Sequence, residues 1–140
     1  MKKNRILTGT TGNVWLDGQL LAQIKSIEAK ISGNYEEADF VGDFATHHVY
    51  TGWTGEGTLV LHKIDSTALR LLADKFKTGV EPDLKIVTQL EDKNTKKSER
   101  VALSEIVFTE MMLAKFESKA LIEEELPYKF SDYEVLEMIA

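Results

Sequence analysis

Apolar residues recur at every second position along most of this chain, and that period confines it to paired strands with one buried face. Val14 and Leu16 alternate with Asn13, Trp15 and Asp17. Leu20, Ala22 and Ile24 share one phase, whereas Ile27, Ala29 and Ile31 hold the opposite one. A flip would turn half the strand away from the core, so one extra residue is predicted there, a β-bulge at Lys25-Ser26. Val101, Leu103, Ile106 and Phe108 flip in the same way near Ser104-Glu105. Asp17-Gly18, between two strand-like runs, predicts a tight type I′ hairpin turn.

One segment breaks the period. Leu69, Leu72, Ala73 and Phe76 are spaced as a helix stripe, Asp65 or Ser66 can cap it, Lys75 and Lys77 sit at its end, and Gly79 and Pro82 follow. An amphipathic helix over residues 65–78, lying on a sheet, is expected. Residues 33–48 have no clean period and read as a long acidic loop carrying Tyr35, Phe40, Val41 and Phe44. Such a loop is usually functional or disordered, and aromatics on it suggest a surface made to be covered, or else a satellite cluster tucked beneath it. Gly52-Trp53-Thr54-Gly55-Glu56-Gly57 reads as a turn between strands, residues 91–99 as a hairpin tip and residues 113–117 as a further strand. Pro127 makes the strand through Leu126, Tyr128 and Phe130 an edge or an irregular one. The C-terminal Tyr133, Val135, Leu136, Met138 and Ile139 are too apolar for a free tail. The sum is a mainly β (α+β) domain spanning residues 1–140: an antiparallel sandwich or barrel of seven or eight strands with one flanking helix.

Composition narrows the function. With 140 residues the chain is one domain, and with no cysteine it has neither a disulfide scaffold nor a thiol nucleophile. Its formal net charge of -6 disfavours a phosphate-reading surface. No apolar run approaches the ~20 residues of a membrane span, so no stable membrane insertion is expected. The serines lack a nucleophile elbow, and the Gly52–Gly57 segment lacks the lysine of a phosphate loop. His47 and His48 are adjacent and point to opposite faces of a strand; His47 with Asp43 and Glu37 would make a loop site whose geometry nothing fixes. His62 reads as a satisfied strand histidine. No catalytic residue, metal ligand or cofactor is assigned. In Glu123-Glu124-Glu125 the outer two face away from the apolar side, whereas Glu124 shares a face with Ile122 and Leu126 and so faces a cation, or that face is not core throughout. Val60, Val87 and Val107 lie opposite the core stripes, which argues for assembly.

Three blocks carry a resemblance. They are Gly12-Asn13-Val14-Trp15-Leu16-Asp17-Gly18 with Ile24-Lys25-Ser26-Ile27-Glu28-Ala29, then Tyr50-Thr51-Gly52-Trp53-Thr54-Gly55-Glu56-Gly57-Thr58-Leu59, and the ending from Glu123 through Pro127 and Tyr133 to Leu136. In order and spacing the chain resembles the tail tube proteins of contractile phage-like particles, among them PBSX-type defective prophages and R-type bacteriocins. The resemblance implies a small β-sandwich or barrel subunit with one flanking helix that forms hexameric rings. The rings stack into a hollow tube, driven through a target envelope when a sheath contracts. Implied partners are further copies of the chain, the tail sheath protein, and baseplate and tape-measure proteins. DNA would pass the lumen without specific binding. It also implies that residues 33–48 reach the neighbouring ring, with residues 1–12 as a second inter-subunit arm. Tyr35, Phe40, Val41, Phe44 and His47 on the loop, with Ile6 and Leu7 on the arm, are the expected contact residues. The alternative is a monomeric β-barrel binding module or effector-like protein of the same fold, which would carry a discrete pocket.

Overall fold

The computed structural model describes residues 7–21 and 23–139, apart from the side chains of Thr10, Thr67 and Ala68. Seven strands form one antiparallel sheet: β1 Gly12–Leu16, β2 Gln19–Leu20, β3 Ile24–Ala38, β4 His47–His62, β5 Ile86–Asp92, β6 Lys97–Phe108 and β7 Glu123–Glu137. Their order across the sheet is β2-β1-β5-β6-β7-β4-β3. The two ends of that order meet, because only residues 21–23 separate β2 from β3. There the Leu21 N–H donates to the Val14 carbonyl and the His62 N–H to that of Gln23, both at 2.8 Å. The sheet therefore curls into an open barrel.

Two sequence expectations hold in detail. Asp17 and Gly18 have φ of 51° and 83°, as a type I′ turn requires, and join Leu16 to Gln19. In β3 the register with β4 shifts between Ile24 and Ser26, so Lys25 is the extra residue and Ile24 and Ile27 both turn inward. The second flip uses another device. Glu105 adopts a φ of 53° while Ser104 stays opposite Asp132 and Ile106 opposite Phe130, so Leu103 and Ile106 both reach the core.

Three expectations about the strands need correction. The long loop over residues 33–48 is mostly strand: β3 runs to Ala38 and β4 starts at His47, which leaves residues 39–46 as the tip of one long hairpin. Its polarity misled because both faces of this ladder are exposed, so no alternation is imposed. The Gly52–Gly57 turn is also strand. Gly55 lies opposite Phe130 and Gly57 opposite Tyr128. A Cβ at Gly55 would stand 2.5 Å from the Phe130 ring, and one at Gly57 would stand 2.0 Å from the Glu28 carbonyl oxygen. These glycines leave room for rings rather than for a bend. Residues 113–117 form no strand and belong to an exposed loop between β6 and β7.

The single helix divides into α1 Thr67–Leu72 and α2 Lys75–Thr78. The break turns Phe76 outward and puts Lys75 inside. There the Lys75 ammonium donates to the Phe108 carbonyl at the end of β6 and pairs with Glu81 at 3.0 Å. A carbonyl at a strand end needs a donor, and this lysine supplies it. Gly79 closes α2 at a φ of 73° as predicted.

The core fills the closed half of the barrel. Leu59, Leu61, Leu126, Tyr128, Ile86 and Phe108 are all nearly inaccessible to solvent. Glu124 is buried beside them, and the cation it faces is this chain's own Lys63, at 3.3 Å.

Candidate assembly surface

β4 has two neighbours only over part of its length. From Gly55 to His62 it lies between β3 and β7; from His47 to Thr54 it pairs with β3 alone. β7 behaves in the same way, pairing with β4 up to Phe130 and beyond it only with β6. The two strands part as a fork. Trp53 and Tyr133 meet edge to face across it, ring centroids 5.4 Å apart. Past the fork, β4 and β7 each carry an edge that no other described strand pairs, and among the described residues the outer edge of β3 has no strand partner.

The hairpin tip is ordered by its own chemistry. The Asp43 N–H donates to the Phe40 carbonyl at 3.2 Å, with Gly42 between them at a φ of 87°, which is a type II turn. One Asp43 carboxylate oxygen accepts the Ala45 N–H at 2.9 Å, and the other meets His47 Nε2 at 2.6 Å. The His47 contact, with help from the Ala45 N–H, holds the Asp43 carboxyl below the usual carboxylate range. The His47 ring also lies edge-on to Phe40, 5.6 Å between centroids. The turn so built presents Val41 and Phe44 completely to solvent, both at 109% of their reference exposure.

The structure thus brings Phe40, Asp43 and His47 together. It does not bring in Glu37, which lies opposite His48 in the ladder. Among the described residues no three His, Asp or Glu side chains stand close enough to hold a metal. Tyr35 sits further down the hairpin, edge-on to Tyr50 at 5.5 Å. Leu7 is partly exposed, and Ile6 lies outside the described residues. The arm is not free up to Gly12: Gly9–Thr11 forms a helical turn, the Thr11 hydroxyl donates to the Glu91 carbonyl at 2.6 Å, and Gly12 opens β1.

Sequence reasoning missed Ile31, Val49 and Tyr50, all exposed on the hairpin, and the exposed loop residues Leu113, Phe116 and Leu121. Hydropathy alone could have found the loop set, once no partner strand was available for it.

A barrel whose strands outrun their partners, with Val41 and Phe44 at the hairpin tip covered by no other described residue, has the form of a part shaped to be covered by others. The sequence agrees: it matches the phage tail tube protein family over residues 1–137, and the chain belongs to that family. It is a structural subunit of a phage-type tail tube, a component of phage or phage-like particle tails. Among its relatives, the phage-like element PBSX protein XkdM of Bacillus subtilis (strain 168) is 33% identical over 143 residues, covering 100% of this chain and 97% of that one. Two solved structures share the fold at low identity. One is the tube-terminating cap of the anti-feeding prophage, with TM-score 0.76 and 11% identity over 95% of this chain and 92% of that one. The other comes from the PVC sheath–tube complex, an extracellular contractile injection system in its extended state, with TM-score 0.73 and 12% identity over 99% of both chains.

Proposed function

We propose that this tube subunit forms hexameric rings that stack into the inner tube of a contractile phage tail or R-type bacteriocin, driven through a target envelope when the sheath contracts. The observation that carries this reading is the half of the hairpin beyond the fork. It is apolar at its tip, and among the described residues nothing pairs its outer edges or covers that tip. A head-to-tail contact that closes gives a ring, and a second patch stacks rings into a filament. The free edges of β3, β4 and β7 suit the first; Phe40, Val41 and Phe44, with Tyr35 and His47 behind them, suit the second. Ile6 and Leu7 on the N-terminal arm are assigned to the same contacts. The partners are further copies, the sheath protein, and the baseplate and tape-measure proteins. The lumen passes its cargo, DNA where the particle carries it, without specific binding. The role is mechanical, with no catalytic step.

Negative-stain electron microscopy over a concentration series, with light scattering on the same samples, tests the proposal. Hollow tubes or sixfold rings with a central hole are expected. A strict monomer at every concentration, unchanged by added baseplates of the parent particle, would sink it. A monomeric binding module is the second reading. It draws on one observation, a cavity of about 1000 Å³ between β1, β3, β5 and β6.

A further inference from the structure

Glu124 is only 4% exposed, and its two carboxylate oxygens have different surroundings. Oε1 accepts from the Lys63 ammonium at 3.3 Å. Oε2 is buried and meets no donor among the described residues. A buried carboxylate oxygen without a donor costs more than a neutral polar group left in the same position, and folded proteins seldom keep one. Glu124 lines a cavity of about 20 Å³, bounded otherwise by Lys63, Ile122 and residues 112–115.

Residues 112–115 roof this cavity and belong to the loop between β6 and β7. The ends of that loop are pinned: the Thr109 N–H donates to the Pro127 carbonyl at 3.0 Å, and the Lys63 N–H to the Ile122 carbonyl at 2.8 Å. Between them the Ala120 N–H closes one turn onto the Glu117 carbonyl at 3.2 Å. Among the described residues no backbone hydrogen bond reaches residues 112–115. The roof therefore offers main-chain donors and acceptors that need partners of their own.

The chemistry of the lining selects the ligand. A water molecule needs roughly 10–15 Å³ and two to four polar partners, and the cavity supplies both. A cation would meet Lys63 and Lys115, beside a carboxylate that already has its counter-ion. An anion would meet Glu124 itself, and an apolar group would leave Oε2 without a donor. A small neutral donor satisfies every group present.

We propose that the cavity under residues 112–115 is the binding site for a single water molecule, which donates to Glu124 Oε2, bonds the main chain of the roof, and so fastens the middle of the β6–β7 loop to the barrel. Glu124 is then a positioning residue for the stretch that carries the exposed Leu113 and Phe116. The site does not depend on the tube-subunit reading.

A crystal structure of the full chain with ordered solvent is expected to show a water about 3 Å from Glu124 Oε2. Two variants separate the water from the ion pair. Glu124→Gln loses the charge opposite Lys63 but keeps a polar head that binds water; Glu124→Leu keeps the approximate size and loses both. Trypsin reads the loop, because Lys115 lies in the roof and Lys119 lies outside it on the same loop. The ratio of cleavage at Lys115 to cleavage at Lys119 is expected to rise about tenfold in Glu124→Leu and to stay within about twofold of wild type in Glu124→Gln. If Glu124→Leu does not fold, which circular dichroism shows, the wild-type crystal and Glu124→Gln decide the question. A tenfold rise in Glu124→Gln would assign the loop's position to the ion pair and overturn the proposal. An ordered loop in the crystal, with Oε2 bonded to a protein donor, a metal ion or nothing at all, would overturn it as well.

Discussion

The two halves of β4 belong to one continuous strand and meet opposite fates. Below the fork, Leu59 and Leu61 are sealed between β3, β7 and the far wall of the barrel. Above it, Val49 and Tyr50 lie half exposed on a two-stranded ribbon. An isolated two-stranded hairpin is marginal in water, so the upper half is held up by its continuity with the lower. Stability thus belongs to the lower half, and the upper half is free to serve contact. Substitutions in the two halves separate the readouts, folding below the fork and assembly above it.

The largest expected effect falls on folding. At Gly57 a Cβ would stand 2.0 Å from the Glu28 carbonyl oxygen and 2.6 Å from the Tyr128 hydroxyl. Gly57→Val forces β3 or the Tyr128 ring out of place, a cost of about 3 kcal/mol or more by the usual scale of core overpacking. Thermal denaturation is expected to show a soluble yield and melting temperature well below wild type. A melting temperature unchanged within error would mean that the ring and the strand do not meet as described, and the division into two halves would lose its basis.

Above the fork the same measurement should stay silent. Replacing residues 39–46 with Asn-Gly joins Ala38 to His47 by a two-residue turn and keeps the register of the ribbon. The monomer is expected to melt within a few degrees of wild type while tubes disappear. Phe44→Ala should act in the same direction and more weakly, since Val41 remains. If the excision instead unfolds the protein, the tip supports the core, and the aromatic cluster beneath a loop becomes the better description of it.

The lower half was legible in the sequence because burial imposes a rule there. The bulge at Lys25 follows from keeping apolar side chains on one face, and the turn at Asp17-Gly18 and the stop at Gly79 follow from residues suited to positive φ. The upper half was illegible for the converse reason. A ribbon exposed on both faces carries no preferred phase, so residues 33–38 and 47–48 looked like loop although both lie in the ladder. Gly55 and Gly57 misled differently: their meaning lies in rings more than 70 positions away, Phe130 and Tyr128, and no local pattern announces a partner at that distance. Phe40, Val41 and Phe44 were legible as anomalies, apolar residues where water was expected. Their arrangement was not, because the turn that presents them depends on Asp43 reaching both Ala45 and His47.

The smallest expected effect probes a cross-strand contact within the lower half. The Tyr128 hydroxyl crosses β4 to donate to the Glu28 carbonyl at 2.8 Å, and the ring is almost wholly buried. Burial, with a smaller contribution from the Glu28 carboxylate, pushes the phenol well above its ordinary range. A raised folded-state pKa favours the protonated form, so this contribution is complete below roughly pH 10, the unfolded value, and is lost as pH climbs toward the folded one. Tyr128→Phe removes one hydrogen bond and is expected to cost about 1 kcal/mol at neutral pH. It should also flatten the alkaline limb of the stability curve, because the variant has no phenol to ionise. Urea titrations at neutral pH and above pH 10 distinguish the cases. A variant as alkali-sensitive as wild type would place that sensitivity elsewhere, and β3 would then be held to the lower half by its ladder with β4 alone.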